Sequence, residues 1–224
     1  MKTESNHEIT LKPLLNNVTQ GNCVDLLKQM PSESVDLLLT DPPYVPRYQS
    51  SDGRTVPNDN FTWLNPAMSE SFRVLRPHSF AIVFYGWTHV DKFVAAFRGA
   101  GFWLAGHLVF RKRYTSARRY LAYRHESAYL LAKGHPAMAG DPIADVRDWE
   151  YSFNRLHPTQ KPVSALLPLV EAFSKRGQVV LDPFCGSGTS LVAAKQLGRH
   201  FVGFDISPDY AAIATRRLNA HPQG

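Results

Sequence analysis

A single α/β domain with a mixed, mostly parallel sheet is the fold this sequence predicts, on three observations. Short apolar runs of strand length alternate with helical patterns along the chain. Two of those runs, LLLTDPPY ending at Tyr44 and VVLDPF ending at Phe184, break on an acid followed by proline. After the second, a glycine turn leads straight into a helical stretch. At 224 residues the chain suits one domain with a substantial core, and it holds no internal repeat or low-complexity tract.

The predicted strands are Ser34–Thr40, Ser79–Tyr85, Trp103–Phe110, Ala128–Ala132, Gln178–Leu181 and Arg199–Phe204. Helices fill the intervals. Leu64–Leu75 carries apolar residues at helical spacing, and Trp87–Gly99 does so through Val90, Phe93, Val94 and Phe97. Further on, Val163–Lys175 is helical with a bend expected at Pro168, followed by Thr189–Leu197. Pro208–Leu218 starts with Ser207 as N-cap and proline in its first position. Two stretches, Val45–Thr62 and His135–Leu156, are irregular and loop-like. The first follows the DPPY tetrapeptide directly and reads as a lid.

Hydrophobic residues at 44% and charged residues at 20% exclude wholesale disorder. No apolar run approaches the roughly 20 residues of a membrane helix, and MKTESNHEIT lacks the apolar core of a signal peptide, so a cytoplasmic location is expected. With only Cys23 and Cys185, neither a disulfide framework nor a zinc site is expected, and no metal is assigned. The net charge of +6 favours a polyanionic partner. Its densest patch is RKRYTSARRYLAYR, with five arginines, one lysine, three tyrosines and no acid. Arg111, Lys112, Arg113, Arg118, Arg119 and Arg124 are therefore the candidate phosphate contacts, with a solvated basic face as the plainer alternative.

The stretch VVLDPFCGSGTSLVAAKQLGRHFVGFDIS, Val179–Ser207, reads strand, glycine turn, helix, strand, with an acid closing each strand at Asp182 and Asp205. Gly186 and Gly188 let the backbone approach a ligand, and the helix start at Thr189 offers unpaired N–H groups. Asp205 follows Asp182 by 23 positions, near the ~20-residue spacing at which an acid holds ribose hydroxyls. An adenosine-containing cofactor suits this half. The F-C-G-S-G pattern is neither G-x-G-x-x-G nor a phosphate loop with lysine, which counts against NAD and ATP.

Taken together, DPPY at Asp41–Tyr44, HPTQKP at His157–Pro162 and DPFCGSGT at Asp182–Thr189 resemble the amino-methylating DNA methyltransferases that use S-adenosylmethionine. FRVLRPHSFAIVF at Phe72–Phe84 and RRYLAYRHESAYLLAKG at Arg118–Gly134 extend the resemblance over nearly the whole chain. The catalytic motif precedes the cofactor loop, which is the beta-class order. The implied architecture is a three-layer Rossmann-like methyltransferase fold with permuted motifs. One catalytic domain spans residues 1–224, divided into a catalytic half of about 20–134, a short variable segment 135–156 and a cofactor-binding half 157–218. No large separate target-recognition domain is present in that division.

The resemblance assigns catalysis to Asp41, Pro42, Pro43 and Tyr44. The Asp41 carboxylate and the Pro42 carbonyl would accept the hydrogens of an exocyclic amine, and Tyr44 would stack on a base drawn out of the duplex. Cofactor contacts fall to Thr159, Gln160, Lys161, Asp182, Phe184, Gly186, Ser187, Gly188, Thr189 and Asp205, with Lys161 meeting the methionine carboxylate. Asp41 favours adenine N6, because cytosine members of the family more often carry Ser there and glutamine modifiers Asn. The short 135–156 segment implies a short or relaxed recognition sequence. DNA is the expected partner, and a homodimer is plausible by resemblance. Cytosine-N4, RNA or protein-glutamine methylation and a non-catalytic binding subunit stand as rivals.

Overall fold

The computed structural model describes residues 10–43, 60–118, 120–137, 140–150 and 160–220. Tyr44, Arg119, His157, Thr159 and most of the expected lid lie outside them. In chain order the elements are β1 (Asn17–Gln20), α1 (Cys23–Lys28), β2 (Val35–Thr40), α2 (Leu64–Val74) and β3 (Leu75–Phe84). A single 3-10 turn (Trp87–His89), α3 (Val90–Ala100) and β4 (Trp103–Lys112) follow, then the small hairpin β5 (Ala117–Arg118) and β6 (Ala122–Tyr123). The chain continues through β7 (His125–Lys133), β8 (Val146–Trp149), α4 (Val163–Phe173), β9 (Val179–Asp182), α5 (Thr189–Gln196), β10 (His200–Asp205) and α6 (Pro208–Ala220).

Eight strands form one sheet in the order β1-β10-β9-β2-β3-β7-β4-β8. Every pairing is parallel except those of β7, which runs antiparallel to both β3 and β4. Strands covered on both faces read as continuous apolar runs, and β2 illustrates why. Its Leu38 packs with α1, α2 and α3 on one side, while Leu37 and Leu39 pack with α4, α5 and α6 on the other. The same alternation divides Ala81 and Val83 from Ile82 and Phe84 on β3, and Val179 and Leu181 from Val180 on β9. Helix, sheet and helix thus make three layers around two cores.

The expected mixed, mostly parallel α/β sheet is present, with additions at both margins. β1, sequence NVTQ, pairs with β10 and holds a single apolar residue, so its polarity hid it. β8 corrects the reading of 135–156 as wholly irregular. Val146–Trp149 pairs in parallel with β4 and buries Trp149 at 4% exposure, although two of its four residues are charged. α1 was also missed, yet its signal is legible: the Asn22 side chain accepts from the Val24 N–H at 2.9 Å, an N-cap on a six-residue helix. The Trp87–Gly99 helix is split, because residues 87–89 form a 3-10 turn before α3 begins; Gly101, with φ +103°, then terminates it.

Candidate active site

The carboxyl ends of β2, β9 and β10 lie side by side, because the three strands are parallel and β9 sits between the others. This edge is where α/β sheets take ligands. Asp182 ends β9, and the chain turns through Pro183–Gly188 into α5. Gly186 (φ +51°) and Gly188 (φ +79°) make that turn in the left-handed region. A Cβ on Gly188 would sit 3.0 Å from the Ala214 Cβ, so glycine is demanded by both torsion and space. The N-cap of α5 is Gly188, which has no side chain with which to satisfy the first N–H groups of the helix.

Three carboxylates organise this edge. Asp205 binds the turn: Oδ2 accepts from the Gly186 N–H at 2.9 Å and Oδ1 from the Ser207 N–H at 2.8 Å. Asp182 is buried and accepts from the Thr40 hydroxyl at 2.7 Å, the Phe184 N–H at 3.1 Å and the Ser190 hydroxyl. Burial pushes its carboxyl up to about 7 against the pull of those hydrogen bonds. Burial likewise raises Asp205. Asp41, one residue past β2, carries an ion pair from its Oδ2 to Lys161 Nζ at 2.6 Å. Its Oδ1 is buried with no hydrogen-bond partner among the described residues. Burial raises Asp41 above the ordinary carboxylate range, opposed chiefly by Lys161.

One cleft joins Asp41 and Asp182, with Asp205 behind it on the turn. Asp41, Gln160, Lys161, Asp182, Phe184, Gly186, Ser187 and Thr189 line it together with Thr40 and Phe84. Residues from three separate sequence motifs thus converge. Asp182 is engaged by Thr40, Phe184 and Ser190, so it builds the turn. Lys161 reaches Asp41 from the neighbouring segment. The Cys185 thiol is buried, and that burial raises it far above its ordinary range.

Several contributors were invisible to motif reading. Arg217 of α6 donates to the Ser187 carbonyl at 3.1 Å and the Thr189 hydroxyl at 2.9 Å, clasping the turn from behind. Trp63 packs edge-on against Phe184 with centroids 4.8 Å apart, and its indole N–H is buried without a partner among the described residues. Neither residue lies near a motif in sequence. The basic patch divides. Arg111, Arg113 and Arg124 are exposed, and the first two approach Asp148 at 2.8 and 3.8 Å. Lys112 corrects the expected surface contact: the alternation of β4 turns it inward, where it is buried and paired with Glu126. Arg118 lies on β5, and the hairpin's Tyr123 stacks with exposed Trp87 at 6.1 Å.

An open α/β edge with a glycine turn, a ribose-spaced acid and a strand-end carboxylate defines a cofactor-dependent enzyme class. The chain belongs to the DNA methylase family (N6/N4 methyltransferases), whose profile matches residues 35–216. YubD of Escherichia coli (strain K12), a methylase by name, is 48% identical over 202 residues, covering 90% of this chain and 89% of that protein. The solved M1.HpyAVI–SAM complex superposes with TM-score 0.73 at 22% identity, covering 91% of this chain and 98% of that one. The cytosine-N4-specific PvuII DNA methyltransferase gives TM-score 0.70 at 15% identity, covering 89% and 85%. These likenesses agree with the Rossmann-like methyltransferase fold.

Proposed function

We propose that this chain transfers a methyl group from S-adenosylmethionine to the exocyclic N6 of adenine in DNA. The carrying observation is the Asp41 carboxylate, set past β2 in the cleft of the glycine turn, with a buried Oδ1 that has no partner among the described residues. The donor set of the cleft fits the cofactor. Gly186 and Gly188 allow close approach, the α5 start supplies N–H groups, Phe184 offers an apolar face, and Gln160 and Lys161 supply polar reach. The bound cofactor supplies an electrophilic methyl on a sulfonium.

The chain's own residues prepare the acceptor. Adenine N6 is a weak nucleophile because its lone pair is delocalised into the ring. Asp41 and the Pro42 carbonyl accept the two amine hydrogens, which localises that pair toward the methyl group. Proline restricts φ to near −65°, so the acceptors do not have to be ordered during each turnover. Exposed Arg111, Arg113 and Arg124 supply phosphate contacts, with Arg118 beside them on the hairpin. Tyr44 stacks on the extruded base, and the short 135–156 segment confines base reading to a short or relaxed site.

Cytosine N4 is the second reading, favoured by the likeness to a cytosine-N4-specific fold neighbour. Asp41 favours adenine over it. Tritiated-methyl transfer to unmethylated DNA followed by nucleoside chromatography decides the matter. The expected outcome is label in N6-methyl-2′-deoxyadenosine, lost in Asp41→Ala; label in N4-methyl-2′-deoxycytidine would move the assignment.

A further inference from the structure

We propose that Lys161 is a positioning residue for the acceptor: it clamps one oxygen of Asp41, holds the carboxylate ionised, and thereby reserves the other oxygen for the amine. This rests on the reading of Asp41 as the amine acceptor. Lys161 Nζ lies 2.6 Å from Asp41 Oδ2, with the two side chains only 7% and 20% exposed. The ammonium also faces the rings of Phe84 at 5.2 Å and Trp149 at 5.8 Å, and Pro162 follows in the chain. Lys161 is therefore held in place from several sides. A carboxylate turns easily about its terminal torsion, and an ammonium fixed on one oxygen stops that rotation.

Ionisation is the second half. An acceptor must be a carboxylate, since the protonated acid donates from one of its oxygens. Burial drives Asp41 toward the acid form, and Glu126 adds negative charge nearby. Lys161 and, more weakly, Lys112 oppose them, while Lys112 is itself paired with Glu126. Lys161 stays charged in this setting: burial pushes it down, but Asp41 and then Glu126 push it up and prevail. Without Lys161, the strand-end acid is left with burial and Glu126, against only the weaker pull of Lys112.

The family resemblance suggests a different role for the same lysine, holding the methionine carboxylate of the cofactor. The two roles separate experimentally. With Lys161→Met, kcat at saturating S-adenosylmethionine and DNA is expected to fall about 100-fold. Calorimetric cofactor Kd should stay within about threefold. The acidic limb of the kcat–pH profile should move to higher pH, because Asp41 then protonates more readily. Lys161→Arg should return the limb toward its original position. Lys161→Gln, a neutral donor, reads the same limb if the methionine variant does not fold. An unmoved limb, or an unchanged kcat with a greatly weakened cofactor Kd, overturns the proposal. Asp41→Ala keeps the outcomes distinct: activity surviving in that variant refutes the acceptor reading itself, whereas its loss beside an active Lys161→Met refutes only the role of Lys161.

Discussion

Strand β2 carries a carboxylate near each end, and the fold treats them oppositely. At the start, Asp36 is 7% exposed and has both oxygens engaged. Oδ1 accepts from Arg76 at 2.8 Å, with Gln178 at 3.4 Å, and Oδ2 accepts from the Val179 N–H at 2.8 Å. Beyond the other end, Asp41 has one oxygen on Lys161 and one buried without a partner among the described residues. An unsatisfied buried acceptor costs free energy. Asp36 stitches β2 to β9 and β3, whereas Asp41 carries that cost in the wall of the cleft.

Breaking each acid in turn sharpens this contrast. The largest effect belongs to Asp41→Ala, for which methyl transfer by the folded enzyme should drop at least about 1000-fold, roughly 4 kcal/mol of transition-state stabilisation; the thermal midpoint should fall as well, because the buried Lys161 loses its acid. Retained turnover in a filter-binding assay would break the comparison. Next comes Asp182, the acid at the end of the adjacent strand β9. Its folded pKa of about 7 lies above the ordinary carboxylate value, so the native state holds a proton that the unfolded chain has released. Its stabilising contribution is therefore complete below about pH 4 and lost as pH rises through about 7. Cofactor-free melting midpoints should fall between pH 5 and 8, and Asp182→Asn should flatten that decline only partly, because raised Asp41 and Asp205 carry the same sign and remain.

Smaller effects follow. Asp36→Asn places an amide where Arg76 and the Val179 N–H both donate, so urea unfolding should show a loss of about 1–3 kcal/mol with kcat of the folded enzyme preserved. Loss of turnover in excess of unfolding would contradict an architectural role. Gly188→Ala forces a Cβ into a left-handed torsion beside Ala214. About 1–2 kcal/mol of strain is expected there. Cofactor affinity should weaken on the order of tenfold, read by calorimetry.

The sequence disclosed the central parallel strands because both faces are buried, which leaves an unbroken apolar run before each acid. The margins were hidden. β1 and β8 are four-residue edge strands in which polar residues number at least half, a composition that also reads as loop. Within the site, the motifs supplied Asp41, Lys161, Gly186 and Asp205, since each sits in a recognisable local pattern. Their mutual arrangement was not available: nothing near position 41 announces a lysine 120 positions later. Lys112 misled because its neighbours are exposed arginines, and only the strand's alternation separates it from them.

The junction of β2 with β9 has a consequence for biosynthesis. The Thr40–Asp182 hydrogen bond crosses 142 positions, and the cleft is built from both sides of that span. A chain emerging from the ribosome presents Asp41 long before the strand that must lie beside it. Closing so long a loop is an entropic cost met only when β9 arrives. A ribosome-bound fragment ending before β9 therefore lacks one wall of the cleft.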